Sequence, residues 1–165
     1  MLSLKHLPQL ASLFFMVLLV AACGNSTPNT TSTSSTSLLK TASVTVNGQS
    51  KTILTTAQGM TLYYFTADTA TKAACTGTCA GLWPPLLFTG TGSPTSASPL
   101  SGTLEVMTNA NGSQVAYNGH PLYTYSKDTS PGQATGEGFN GKWFVAPPTL
   151  QEQSAPQSPP ASDGY

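Results

Sequence analysis

Short alternations of apolar and polar positions, as at residues 43–46, occur in the middle of the chain, between an apolar run near its start and polar tracts at both ends. Residues 11–22 are apolar apart from one serine, whereas residues 24–37 read GNSTPNTTSTSSTS and offer nothing to bury. Between residues 40 and 148, such alternation and segments rich in aromatic and β-branched residues are typical of β-strands, whose successive side chains point to opposite faces. The pattern therefore predicts an all-β domain flanked by disordered polar tails.

Turn-forming residues mark where the predicted strands end. Asn47-Gly48 follows the alternating segment 43–46, and Asn-Gly in this position is the strongest short-range signal for a hairpin. A second hairpin is predicted around residues 109–112. Further strands are predicted over residues 52–56, 60–66, 121–126 and 142–146, with one helical turn over residues 78–83.

The chain repeats itself at an offset of 60 residues. Between segments 59–83 and 119–143, eight of 25 ungapped positions are identical, where chance gives roughly two. Trp83, for example, is matched by Trp143. The sequence therefore predicts two copies of one supersecondary unit.

This duplication fixes the predicted domain organisation. The fold class that fits is all-β: a small sandwich or barrel built from two internal repeats with pseudo-two-fold symmetry. The repeats cover about residues 44–88 and 103–147, within a domain over residues 40–148. A Ser/Thr-rich tether over residues 23–39 precedes the domain, and a Pro/Gln/Ser-rich tail over residues 149–165 follows it.

The apolar run near the start has the form of an export signal. It is shorter than the roughly 20 residues that span a bilayer, Lys5 precedes it, and Ala21-Ala22 lead into Cys23. This ending resembles the lipobox of bacterial lipoproteins, in which the cysteine receives a diacylglycerol and becomes the new N-terminus. The resemblance implies a signal peptide over residues 1–22. It also implies an extracytoplasmic protein that lipid on Cys23 anchors to the cell membrane or outer membrane.

A short aromatic motif that ends in an aspartate occurs in both repeats. Its residues are Tyr63, Phe65 and Asp68 in the first copy and Tyr123, Tyr125 and Asp128 in the second. The two aromatic positions are two residues apart on a strand and so share a face. In a structural interpretation, these aromatics and both tryptophans form the core, and each aspartate caps a turn. In a functional interpretation, the Asp and Tyr oxygens line a pocket at the repeat interface.

Taken together, the motifs resemble those of bacterial secreted-repeat lipoproteins that carry a Yx(FWY)xxD motif. The further residues that carry the resemblance are Cys75-x-Gly77-x-Cys79-Ala80, Trp83-Pro84-Pro85-Leu86 and Asn118-Gly119-His120-Pro121. The resemblance covers about residues 44–147. It implies export, lipid anchoring and two repeats, but no established activity, so no catalytic residue is carried over from it.

Two cysteines, Cys75 and Cys79, remain once the lipidated one is set aside. In an oxidising compartment, cysteines this close are expected to form a disulfide, worth about 2 kcal/mol because its loop is short. The alternative is a soft metal site, such as a copper site, completed by His120 and by Met60 or Met107. The protein would then be a metal-binding or redox accessory protein.

The charged residues exclude some classes of function. All six basic residues are lysines, and six acidic residues balance them, so the clustered cations that bind phosphates are missing and no nucleic-acid partner is expected. His120 is the one histidine outside the signal peptide, and no catalytic constellation accompanies it. We therefore expect a non-enzymatic envelope module without a cofactor. Its partner would be an unidentified protein or small molecule, or its role would be structural.

Overall fold

The computed structural model describes residues 37–154. The predicted signal peptide, Cys23, most of the predicted tether and residues 155–165 of the predicted tail lie outside the described residues. The strands are β1 (Leu39–Val46), β2 (Gln49–Thr56), β3 (Tyr63–Phe65), β4 (Leu104–Asn109), β5 (Gly112–Tyr117), β6 (His120–Pro121) and β7 (Trp143–Val145), and the helical segments are α1 (Thr78–Leu82) and a 3-10 turn (Phe139–Gly141). In this part of the chain, no helix is long and apolar enough to cross a membrane.

Two antiparallel hairpins begin the two repeats. β1 pairs with β2 around the turn at Asn47-Gly48, whose positive φ angles of 50° and 77° are those that a two-residue hairpin turn requires. β4 pairs with β5 around residues 110–111. Both hairpins occur where the turn residues predict them, and alternate apolar residues such as Val44 and Val46 are buried.

The two repeats meet at a short antiparallel ladder. β3 pairs with β7, and Tyr63 pairs with Tyr123 through two backbone N–H···O bonds of 2.8 and 3.0 Å, one in each direction. Tyr123 also pairs with Pro85, which occupies the position of Val145 in the other repeat. The ladder therefore repeats about a pseudo-two-fold axis that passes between the two tyrosines.

Each hairpin is tied to both repeats by a cycle of three backbone hydrogen bonds, between 2.7 and 3.0 Å long. A hairpin residue donates to a residue that follows the tryptophan of the other repeat. The N–H of this second residue donates to the carbonyl of the residue that precedes the motif tyrosine. The N–H of that third residue donates to the carbonyl of the hairpin residue and closes the cycle. The cycles consist of Leu54, Ala146 and Leu62, and of Val115, Leu86 and Leu122. Separating the repeats would therefore break both cycles.

The prediction of an all-β fold with two internal repeats is confirmed. The sheets contain two or three strands each, and none within residues 37–154 closes on itself. The barrel alternative is wrong because the predicted motif strands are interrupted. Residues 60–66 contain only β3 and an isolated bridge at Thr61, and residues 121–126 contain only the end of β6 and an isolated bridge at Tyr123.

The ordered domain extends beyond both predicted boundaries. Leu39, assigned to the tether, begins β1 and is fully buried. Residues 149–153, assigned to the disordered tail, lie against both repeats. Asn118 Nδ2 donates to the Leu150 carbonyl at 2.7 Å, and the Gln153 N–H donates to the Asn118 carbonyl at 2.9 Å. The Leu150 side chain also packs against buried core residues, but one apolar residue in a Pro/Gln/Ser-rich segment is too weak a pattern to predict this contact.

Candidate functional site

The tyrosine and aspartate of each motif lie together at the interface between the repeats. Tyr63 Oη donates to Asp128 Oδ2 at 2.6 Å, and Tyr123 Oη donates to Asp68 Oδ2 at 2.9 Å. All four residues are at most 5% exposed. Each tyrosine therefore bonds the aspartate of the other repeat, inside the protein.

The second oxygen of each carboxylate holds the loop that follows its own strand. Asp68 Oδ1 accepts the Ala74 N–H at 2.7 Å. Asp128 Oδ1 accepts the Thr135 N–H at 3.0 Å and also the Thr135 hydroxyl. The aspartates cap turns as the structural interpretation expects, and their remaining oxygens face tyrosine hydroxyls instead of an open pocket.

Burial is the largest influence on the pKa of Asp68, Tyr63 and Tyr123. It raises the pKa of Asp68 to about 6, although the N–H groups of Ala74 and Cys75 and the Tyr123 hydroxyl act in the opposite direction. Burial also raises the pKa of the Tyr63 and Tyr123 hydroxyls well above the usual range, and the carboxylate that each one bonds adds to the effect. Both hydroxyls therefore stay protonated and act as donors at neutral pH.

Four aromatic rings stack across the same interface. Trp83 and Trp143 lie face to face, with ring centroids 3.9 Å apart and planes 2° from parallel. Phe65 stacks on Trp143 at 4.3 Å, and Tyr125 stacks on Trp83 at 4.2 Å. Because Phe65 and Tyr125 are equivalent motif positions, the stack itself has pseudo-two-fold symmetry. The motif aromatics and both tryptophans therefore belong to one core cluster.

An open groove of about 530 Å³ lies beside the tryptophan pair. Its walls come from equivalent segments of the two repeats, α1 with Trp83 on one side and the 3-10 turn with Trp143 on the other. Most of the lining is apolar, and beside the two tryptophans it includes Phe65, Cys79, Leu82, Phe139, Asn140 and Lys142. The sequence indicates Cys79 as a disulfide partner and Phe65 as a motif aromatic, but it gives no reason to place Leu82, Phe139, Asn140 or Lys142 in a site.

The predicted disulfide is present in one wall of this groove. Cys75 and Cys79 are bonded, with Cα atoms 5.2 Å apart. Thr135 and Phe139 occupy the equivalent positions in the second repeat, and the Phe139 ring lies edge-on to Trp83 with centroids 5.7 Å apart. One repeat therefore uses a covalent bridge where the other uses an aromatic side chain.

The geometry disfavours the soft metal site. The sulfurs of Cys75 and Cys79 bond each other. The His120 ring packs against Tyr64, and its Nε2 donates to the Gln151 carbonyl at 3.1 Å. Burial lowers the pKa of His120. Across residues 37–154, no three His, Cys, Asp or Glu side chains are grouped so that they could hold one ion.

Comparison with known proteins identifies the same two repeats. A family model described as a secreted repeat of unknown function matches residues 44–87 and again residues 105–147. These segments agree with the units defined by the 60-residue offset and by the symmetric ladder. No curated protein and no solved structure matches the chain.

Proposed function

Because this chain belongs to the family of secreted repeats of unknown function, we propose that it is a non-enzymatic binding module of the bacterial cell envelope. The observation that carries this proposal is the pairing of Tyr63 with Asp128 and of Tyr123 with Asp68. Acid–base catalysis needs such groups within reach of a substrate, whereas here they are buried and bond each other. The feature that faces solvent beside them is an apolar groove, and ligand sites are usually lined in this way.

A lipid anchor on Cys23 completes the proposal. The small residues before Cys23 fit a lipoprotein signal, and the polar segment 24–37 separates that cysteine from β1. Two or more acyl chains hold a protein stably on a membrane, whereas one chain holds it only marginally. The domain would then act at a membrane surface outside the cytoplasm.

Changing Cys23→Ala in the full-length chain tests the anchor. The unchanged protein is expected in the membrane fraction and in the detergent phase of a phase-separation assay, and C23A is expected in the soluble fraction. The double variant C75A/C79A is the matched control, because it loses two cysteines and keeps the anchor. Membrane association that C23A retains in full would contradict the anchor.

A hydrolysis panel tests the non-enzymatic assignment. The purified protein is expected to leave esters, glycosides and peptides unchanged. His120→Ala serves as the reference variant, because His120 is the one histidine in residues 37–154. Turnover by the unchanged protein that disappears in H120A would identify an enzyme instead.

A metal-binding or redox accessory role is the alternative, and the disulfide beside an open groove favours its redox form. Metal analysis and a free-thiol count on protein from an oxidising compartment separate the two functions. One metal per chain, lost in H120A, would support the accessory role. Absence of metal together with absence of free thiols would support the binding module.

A further inference from the structure

The two walls of the groove are equivalent in fold but differ in chemistry. Leu82 of the first repeat corresponds to Lys142 of the second, and Cys79 corresponds to Phe139. The first wall therefore ends in an apolar side chain, whereas the second combines an aromatic ring with a cation at the rim. Asn140, also exposed at this rim, adds an amide beside the cation. The groove is consequently polarised from one side to the other.

Among residues 37–154, the cation at the rim has no partner of opposite charge. No acidic residue lines the groove, and the one ion pair within residues 37–154 joins Lys51 to Glu137. The backbone fixes where Lys142 stands, since its N–H donates to the Phe139 carbonyl at 3.1 Å and its carbonyl accepts the Thr66 N–H at 2.9 Å. The backbone of Lys142 is therefore fixed at the groove, and its exposed ammonium group is within reach of a ligand there.

The size and lining of the groove suit a small flat molecule. Its volume of about 530 Å³ lies in the range of roughly 300–1,000 Å³ that is usual for ligand sites. Phe65, Leu82 and Phe139 are half-buried, so part of each side chain faces the open space. Aromatic and aliphatic side chains arranged in this way pack against planar apolar rings.

We propose that the groove binds a small amphipathic anion. A flat apolar body of one or two rings lies between Leu82 and Phe139, and a carboxylate or similar group pairs with Lys142. This inference rests on the binding role proposed above, and it names the ligand chemistry of that site.

The two tryptophans provide a direct measurement of occupancy. They are the only ones in the chain and both line the groove, so the two indole N–H signals of an ¹⁵N-labelled sample report on it. The probes are 2-naphthoate, neutral 2-naphthol and cationic 2-naphthylmethylamine. We expect 2-naphthoate to shift both indole signals saturably, and to bind at least about threefold more tightly than 2-naphthol, with the amine weakest.

Charge variants decide whether Lys142 is responsible for that preference. Lys142→Gln is expected to weaken 2-naphthoate about fivefold, the upper range for an exposed ion pair, and to leave 2-naphthol unchanged. Lys127→Gln is the matched control, because Lys127 is also exposed and does not line the groove. K127Q should keep the full preference for the anion.

Three outcomes would overturn the inference, and they are distinguishable from failure of the proposed function. Equal affinity for the three probes, or a preference that K142Q retains, would remove the charge pairing and leave a groove that binds apolar rings. The lack of a saturable shift with every probe would remove the ligand site itself. Turnover in the hydrolysis panel would instead contradict the non-enzymatic assignment, whatever the probes do.

Discussion

Tyr63 satisfies two buried groups that belong to the second repeat. Its hydroxyl donates to Asp128 and also accepts the Gly136 N–H at 3.2 Å. Without the hydroxyl, a carboxylate oxygen and an N–H would both lose a partner inside the protein. Buried polar groups left unsatisfied cost about 1–3 kcal/mol each.

Tyr63→Phe is therefore expected to lower the free energy of unfolding by about 2 kcal/mol, measured by urea denaturation. Tyr64→Phe is the control, because the neighbouring hydroxyl makes no hydrogen bond within residues 37–154, and its effect should stay below about 0.5 kcal/mol. Equal losses in the two variants would contradict a special role for the Tyr63 hydroxyl.

Asp68 should make stability depend on pH between about 4 and 6. Its pKa is about 6 in the folded protein and about 3.9 in an unfolded chain, so the folded state binds the proton more tightly. The contribution of Asp68 to stability is therefore complete below pH 4 and is lost as the pH rises to 6.

Asp68→Asn removes the titrating carboxyl group. The difference in stability between the unchanged protein and this variant therefore reports the titration of Asp68. The free energy of unfolding of the unchanged protein relative to D68N should fall from pH 4 to pH 6 and stay level above about pH 7. The lowered pKa of His120 acts in the opposite direction below about pH 6.5, but both proteins share it. A difference that does not vary over this range would show that Asp68 titrates normally.

Each aspartate makes two kinds of hydrogen bond, and the local sequence predicts only one of them. The turn-capping role follows from the residues next to it, because Asp side chains commonly accept nearby N–H groups. The bonds to tyrosine join residues 65 and 55 positions apart, and they depend on how one repeat faces the other. No local pattern carries that information.

At the scale of elements, the two outer edges of the central ladder avoid an unpaired backbone N–H in different ways, one through Glu137 and the other through Pro85. The Val145 N–H in β7 donates to Glu137 Oε2 at 2.8 Å. In the first repeat the equivalent residue is Pro85, which has no N–H to satisfy. Gly77 stands there at the position of Glu137. The first repeat therefore lacks both the N–H donor of Val145 and the carboxylate acceptor of Glu137.

A double-mutant cycle tests this relation. Glu137→Ala should cost about 1–2 kcal/mol of unfolding free energy because it leaves the N–H unpaired. Val145→Pro removes that N–H, so the double variant should lose less than the sum of the single losses, by at least about 0.5 kcal/mol. Lys51→Gln accounts for the ion pair that Glu137 also forms, with an expected cost below about 1 kcal/mol. Simple additivity of E137A and V145P would contradict the relation.

The hairpins were predictable as elements and the groove was not. Asn47-Gly48 specifies a tight turn through the backbone angles that these two residues tolerate, which is local information. The groove needs Leu82 and Lys142 to face each other across the interface. The 60-residue offset aligns these two positions, but alignment alone does not bring aligned residues together in space.

At the scale of the whole molecule, the shared cycles of backbone bonds should make the two repeats one cooperative unit. A cut between Gly92 and Ser93, in an exposed bend, gives one fragment for each repeat. Each fragment alone lacks the partners of its tyrosine and its aspartate, so we expect neither to fold. Mixed together, the fragments should recover the far-UV circular dichroism of the intact chain and elute as one complex. Cooperative unfolding of either fragment alone would contradict this expectation.

The reciprocal pairing of Tyr63 with Tyr123 has the form of an isologous contact, in which each partner presents the same surface to the other. Two separate copies of a half-length chain could make the same contacts across a dimer axis. Gene duplication and fusion of such a homodimer would produce this fold without inventing a new interface. Once the halves share one chain, the sequence of each half can change independently of the other. Cys79 and Phe139, which occupy equivalent positions on the two sides of the axis, are an example of such divergence.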